Sequence, residues 1–193
     1  MANGERGRRR QQGRRSRPLD SAGLQEIALR YVSRFATTRI KLIAYLDRKL
    51  KERGWADGEL PDIGALADRL ADLGYVDDAA FALAKAGSLG RRGYGPGRVE
   101  QALRQSGVSE EDGEEARLLA RRQAIEAALR FAQRKRLGPW RILTTDPRAG
   151  EKGLAAMLRA GHAFGVSRAI IQAKAGADLS PEILSEYVVI KEP

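Results

Sequence analysis

From Ser21 onward, apolar residues recur at intervals of three and four with no sustained alternation, a pattern that predicts amphipathic helices and no strands. Leu24, Ile27, Tyr31 and Phe35 make a first stripe behind Asp20 or Ser21 as N-cap. Thr37 or Thr38 opens a second helix whose Leu42, Ile43, Leu46 and Leu50 face inward, and Gly54 offers a left-handed stop. Pro61 and Asp62 open a third, bearing Ile63, Leu66, Leu70 and Leu73, which Gly74 closes. These stripes predict a unit of three helices.

The unit recurs when the helix-ending glycines are aligned. Gly54-Trp55, Gly107-Val108 and Gly161-His162 stand at nearly equal intervals, and four residues before each glycine comes Leu50, Leu103 or Met157, one turn back on the buried face. The second unit runs from Asp77 through a helix with Phe81 and Leu83, turns at Gly93-Tyr94-Gly95-Pro96, and continues along Arg98 to Ser106. The third begins within Glu114 to Leu137, one long helix or two short ones, with Leu118, Ile125, Leu129 and Ala132 on one face. The expected fold is all-α, three tandem three-helix repeats forming an elongated, curved body that favours binding over catalysis. The expected divisions are an arm at 1–18, repeats at 19–75, 76–117 and 118–178, and a C-terminal extension at 179–193.

Composition narrows the chemistry. Hydrophobic residues are 42% and charged residues 31% of the 193, enough apolar matter for a core. With no cysteine there is no disulfide framework, thiolate zinc site, iron–sulfur cluster or cysteine nucleophile. A lone histidine, His162, supplies no His-rich metal site, so no catalytic residue, cofactor or metal is expected and an enzyme is disfavoured. The net charge of +10 points to a polyanionic partner. More than half of that excess sits in residues 1–18, where Arg6, Arg8, Arg9, Arg10, Arg14, Arg15 and Arg17 face Glu5 alone, a composition that reads as a disordered arm. No apolar run would span a bilayer and no apolar segment follows the arginines, so a cytoplasmic protein is expected.

The most distinctive string is Arg91-Arg92-Gly93-Tyr94-Gly95-Pro96-Gly97-Arg98. It lacks the Lys-Ser/Thr of a P-loop. Residue types favour a tight helix connection with solvated arginines and an aromatic plug over a binding hot spot. Asp77-Asp78 reads as a helix cap in preference to a metal or proton-sharing pair. Arg117, Arg121, Arg122, Arg130, Arg134, Lys135 and Arg136 form a broken basic stripe, suited either to phosphates or to a solvated face with pairs such as Glu114–Arg117 and Glu126–Arg130. His162, Trp55 and Trp140 read as packing residues.

Leu73-Gly74-Tyr75-Val76-Asp77-Asp78-Ala79-Ala80-Phe81-Ala82, then Arg91 to Val99, then Ala102-Leu103-Arg104-Gln105-Ser106-Gly107-Val108 closely resemble the RecX family of regulatory proteins, and Leu46 to Leu50 with Arg53-Gly54-Trp55 is similar to its first-repeat signature. The resemblance spans roughly residues 24–174 and is most specific in the middle repeat. It implies three tandem three-helix repeats and a non-enzymatic modulator that lies in the groove of the RecA filament on DNA, restraining strand exchange, ATP hydrolysis and coprotease function in recombinational repair. Motif and charge together put Arg91, Arg92, Tyr94, Arg98 and Arg104 on the contact surface, with Arg117 and Arg121 added from the stripe. Single- or double-stranded DNA is the second expected partner, through the basic surface and the arm. The third repeat departs from the family pattern, with Ala160-Gly161-His162 where a basic residue, glycine and phenylalanine are usual. The competing reading is a general DNA- or RNA-binding helical protein that acts without RecA.

Overall fold

The computed structural model describes residues 17–142 and 146–189. The regular structure of the described residues is helical apart from one isolated β-bridge, and they fall into two units, divided between Val76 and Asp77. The expected arm lies outside them except for its last residues, Arg17 and Pro18. No helix among them is long and apolar enough to cross a membrane.

The first unit comprises α1 (Ser21–Val32), α2 (Arg39–Arg53) and α3 (Ile63–Asp72). Each start is chosen by a short oxygen-bearing side chain: Asp20 accepts from Gly23 N, Thr38 from Lys41 N and Asp62 from Ala65 N. Leu24, Ala28, Leu42, Leu46, Ala67, Leu70 and Val76 fill the core. Leu19 joins them through its extended bridge to Trp55, in which Leu19 N donates to Gly54 O and Ala56 N to Leu19 O. Gly54 permits this with φ 81° and ψ 172°, leaving the helix directly into extended backbone.

In the second unit α4 (Asp78–Arg91) packs against α5 (Pro96–Gln105) and α6 (Glu114–Arg122). Ala82 and Ala86 on α4 share a core with Ala116 and Ala120 on α6, small residues that let two helices approach closely. α7 (Ala124–Lys135), a 3-10 turn at Gly138–Trp140, α8 (Ala149–Arg159) and α9 (Phe164–Gln172) gather around Phe131, Met157, Val166 and Ile170. α10 (Pro181–Val189) packs on α7 and α9 and buries Leu184 completely, so the C-terminal extension contributes to this core.

Three expected inward positions face water instead. Phe35 is 57% exposed because α1 ends at Val32 and the helical period no longer governs it. Leu73 is 61% exposed because it caps α3 from outside its last turn. Leu118 is exposed because the close α4–α6 contact selects Ala116 and Ala120 as the inner positions. The stretch from Glu114 to Leu137 is two helices, broken at Gln123, and the residue 117/118 division falls inside α6, whose buried face belongs with α4.

Candidate interaction site

The glycine-rich string sits where two helix ends meet. α4 stops in a left-handed turn at Gly93, φ 75°, with Gly93 N donating to Gly90 O and Tyr94 N to Leu89 O. α5 then starts at Pro96 with Gly95 in the capping position and no side-chain cap. Its unsatisfied N-terminal donors find the unsatisfied C-terminal acceptors of α8: Gly95 N donates to Ala160 O at 2.9 Å and Gly97 N to Gly161 O at 3.0 Å. The two dipoles therefore meet positive end to negative end.

This joint explains the glycines. A Cβ on Gly95 would lie 2.3 Å from Gly161 O, and one on Gly161, φ +87°, would lie 2.2 Å from Arg98 N. His162 locks the same seam. Its Nε2 donates to Gly93 O at 3.2 Å, its ring lies 5.4 Å from Phe131, and its Nδ1 is buried without a hydrogen-bond partner. Burial holds the imidazole pKa down to about 4, against the weaker opposing pull of the Gly93 hydrogen bond. Half-buried Tyr94 packs against the cores on both sides, the plug expected of it.

Cations stand around that aromatic on the solvent side. Arg91, Arg92 and Arg98 are exposed, and the Arg92 guanidinium lies 5.3 Å above the centre of the Tyr94 ring. Arg134 donates to Arg92 O and lies 5.5 Å from the centre of the Phe131 ring. Tyr94, Phe131, Ala156 and Ala160 line an open cleft of about 340 Å³, with Arg98 and Arg159 at its edge. Sequence reasoning missed Arg159. Its place beside Arg98 follows from the meeting of α8 with α5, which the period of neither helix reveals.

The remaining candidates lie elsewhere on the second unit. Arg117 is only 20% exposed at its side chain and donates to Glu100 Oε2 at 2.6 Å and Glu110 O at 2.7 Å, tying α6 to α5. Arg104 lies 3.7 Å from the other Glu100 oxygen. Arg121 lines, with Arg117, an open groove of about 780 Å³ whose other charged walls are Glu100, Glu110, Glu111 and Glu114. The structure thus brings Arg92, Tyr94 and Arg98 together, leaves exposed Arg91 lying back along α4 toward Gly87, and sets Arg104, Arg117 and Arg121 among carboxylates. Of the expected helix pairs, Glu126–Arg130 forms at 3.1 Å, whereas Arg117 takes Glu100 in place of Glu114. Asp77 accepts from Ala80 N at 2.7 Å as the cap of α4, while Asp78 is buried in its first turn.

Comparison with known proteins agrees with this architecture. Residues 77–116, which hold α4, α5 and the glycine-rich turn, match the family profile described as RecX, second three-helix domain. The chain is 34% identical over 169 residues to the protein of Myxococcus xanthus named Regulatory protein RecX, covering 82% of this chain and 89% of that one. It is 46% identical over 43 residues to the Regulatory protein RecX of Escherichia coli, 22% of this chain and 26% of that protein. The crystal structure of RecX from Lactobacillus salivarius shares the fold at a TM-score of 0.56 and 20% identity, over 78% of this chain and 94% of that one. An all-helical chain similar along most of its length to a regulatory RecX protein, with the family's second three-helix domain at its centre, belongs to the RecX family of regulatory proteins.

Proposed function

We propose that the protein is a non-enzymatic regulator that binds the RecA filament on DNA and restrains its strand exchange, ATP hydrolysis and coprotease function. The observation that carries this reading is the cationic, aromatic-floored cleft at the α4–α5 turn. Arg92 and Arg98 flank a turn held by backbone hydrogen bonds to α8, so the backbone that carries them is set before any partner arrives, and exposed Arg91 is the last residue of α4. Guanidinium groups around a half-buried ring suit both the carboxylates of an acidic protein surface and DNA phosphates. Membership of a family named for regulation supports a binding role, and a filament supplies many equivalent sites at which modest contacts add through effective concentration. The arginine-rich arm adds sequence-independent attraction to the DNA.

The net charge of +10 also fits a general nucleic-acid binder that acts without RecA. RecA ATP hydrolysis on single-stranded DNA, measured as this protein is titrated, separates the two when run beside a binding curve to the bare DNA. Filament regulation requires inhibition at ratios too low to mask the DNA; inhibition only at coating ratios favours the general binder. Replacing Arg91, Arg92 and Arg98 together by alanine is expected to weaken inhibition with helicity preserved, because exposed substitutions cost within about 0.5 kcal/mol each. An unimpaired triple variant refutes the arginines around the α4–α5 turn as the contact.

A further inference from the structure

The second unit carries two kinds of cation. Arg104 and Arg117 answer Glu100, Arg130 answers Glu126 and Lys152 answers Asp146. Arg92, Arg98, Arg134 and Arg159 are exposed, and among the described residues none of the four has a carboxylate partner. The groups that hold them are neutral. Arg92 lies over the Tyr94 ring, Arg134 lies against the Phe131 ring and donates to Arg92 O, and Arg98 donates to the Gln101 side-chain oxygen. All four belong to one feature, the open cleft walled by Tyr94, Phe131, Ala156 and Ala160: Arg98 and Arg159 line its edge, and Arg92 and Arg134 lie against its two rings.

Unanswered charge of one sign calls for an anionic partner, and the walls of the cleft decide which kind. Single-stranded nucleic acid grips a protein by laying its bases on free ring faces. The cleft has none to give. Phe131 is 5% exposed and touches the His162 ring and the Arg134 guanidinium, while half-buried Tyr94 packs against two cores and carries the Arg92 guanidinium over its ring. A sugar–phosphate backbone would bring charge but no side chain to fill a hollow of about 340 Å³ beside Ala156 and Ala160. An acidic peptide brings both, because carboxylates fit the planar fork of arginine and one apolar side chain can occupy the hollow.

We propose that this cleft receives an acidic segment of the protein partner, one apolar side chain entering beside Tyr94 and Ala156 while flanking carboxylates pair with Arg92, Arg98 and Arg159. The inference rests on the proposed filament role for which protein supplies the segment, and on the cleft alone for the chemistry of that segment. It adds Arg159 and Ala156 to the contact and assigns the arginines of the cleft to protein carboxylates, not to DNA phosphates.

The test uses the full, isotope-labelled chain and follows the amide resonances of Tyr94, Ala156 and Ala160. The probes are a short peptide with one leucine among aspartates and glutamates, a peptide of equal charge without the leucine, and an oligothymidylate. The leucine peptide is expected to shift these resonances and to bind about tenfold more tightly than its leucine-free counterpart, while the oligothymidylate leaves them in place. Ala156→Leu, which fills the hollow and keeps every charge, should bring the leucine peptide down to the level of the other. Arg98→Ala combined with Arg159→Ala, both exposed positions, should weaken both peptides about tenfold. Equal binding of the two peptides by the native chain, no response to either, or the same shifts with oligothymidylate overturns the proposal, the last by making the cleft a phosphate site. RecA enters only in a final arm, where Ala156→Leu should raise the concentration for half-inhibition of ATP hydrolysis about tenfold. Normal inhibition by a variant that has lost the leucine peptide overturns the cleft as the contact with the filament. A native chain that binds the leucine peptide but never inhibits RecA supports the chemistry of the cleft and refutes the filament reading instead.

Discussion

Protonation of His162 should uncouple the seam between the glycine-rich turn and α8. In the unfolded chain this imidazole takes up its proton near pH 6.5; in the folded chain burial defers uptake to about pH 4. Between those values the unfolded state holds more protons, so stability falls as the pH is lowered and is regained as it is raised. At about 1.4 kcal/mol for each tenfold change, the full difference amounts to about 3 kcal/mol, of which about 2 kcal/mol is lost between pH 7 and pH 5. The structural reason is local. The imidazole is 5% exposed, its Nε2 already donates to Gly93 O, and a proton added at Nδ1 would have no acceptor. Urea unfolding of the protein and of His162→Gln, whose amide retains a donor but does not titrate, isolates this group, because carboxylate titrations common to both cancel in the difference. The chain has two tryptophans, Trp55 in the first unit and Trp140 in the second, so a Trp55→Phe background makes fluorescence report the unit that holds the seam. A stability difference between the pair that stays constant from pH 7 to pH 5 would refute the reasoning.

Two further outcomes test the local structure. Gly95→Ala places a methyl 2.3 Å from Gly161 O, so the seam must open and forfeit the Gly95–Ala160 and Gly97–Gly161 hydrogen bonds. The expected loss, from overpacking and those two bonds, is about 3 kcal/mol in the same Trp140 unfolding assay, and a loss under about 1 kcal/mol would contradict so close an approach of the two backbones. Asp77→Ala removes the oxygen that accepts from Ala80 N and should cost about 1 kcal/mol by thermal or urea unfolding, most of it restored by Asp77→Ser. No recovery with serine would mean that the carboxylate does something other than cap α4.

The Phe35 and Leu118 discrepancies show where period-based reading stops. A hydrophobic period identifies a buried face only while the helix lasts, and Phe35 lies beyond the end of α1. It also ranks residues by apolarity, whereas the α4–α6 contact is decided by how closely two backbones can approach, which favours Ala116 and Ala120 over Leu118. The starts of α1 to α4 were legible to within a residue because capping is local chemistry between a side-chain oxygen and an amide three positions on: Asp20, Thr38, Asp62 and Asp77 all act in that way, whereas α6 to α9 start without such a cap and their starts were not legible.

The all-helical class, the helix-ending glycines and the family were therefore determined by sequence alone, since period, caps and left-handed turns depend on residues within a few positions of one another. Gly54, Gly107 and Gly161 indeed all take positive φ. Only the tertiary structure decided that Gly95, Gly97 and Gly161 are glycines for one another, that Arg159 joins Arg98 at a cleft while Arg117 is occupied by Glu100, and that Tyr31, Phe35 and Tyr45 form a row. Those relations join residues from different helices, and no spacing along one helix specifies which end or face of another will meet it.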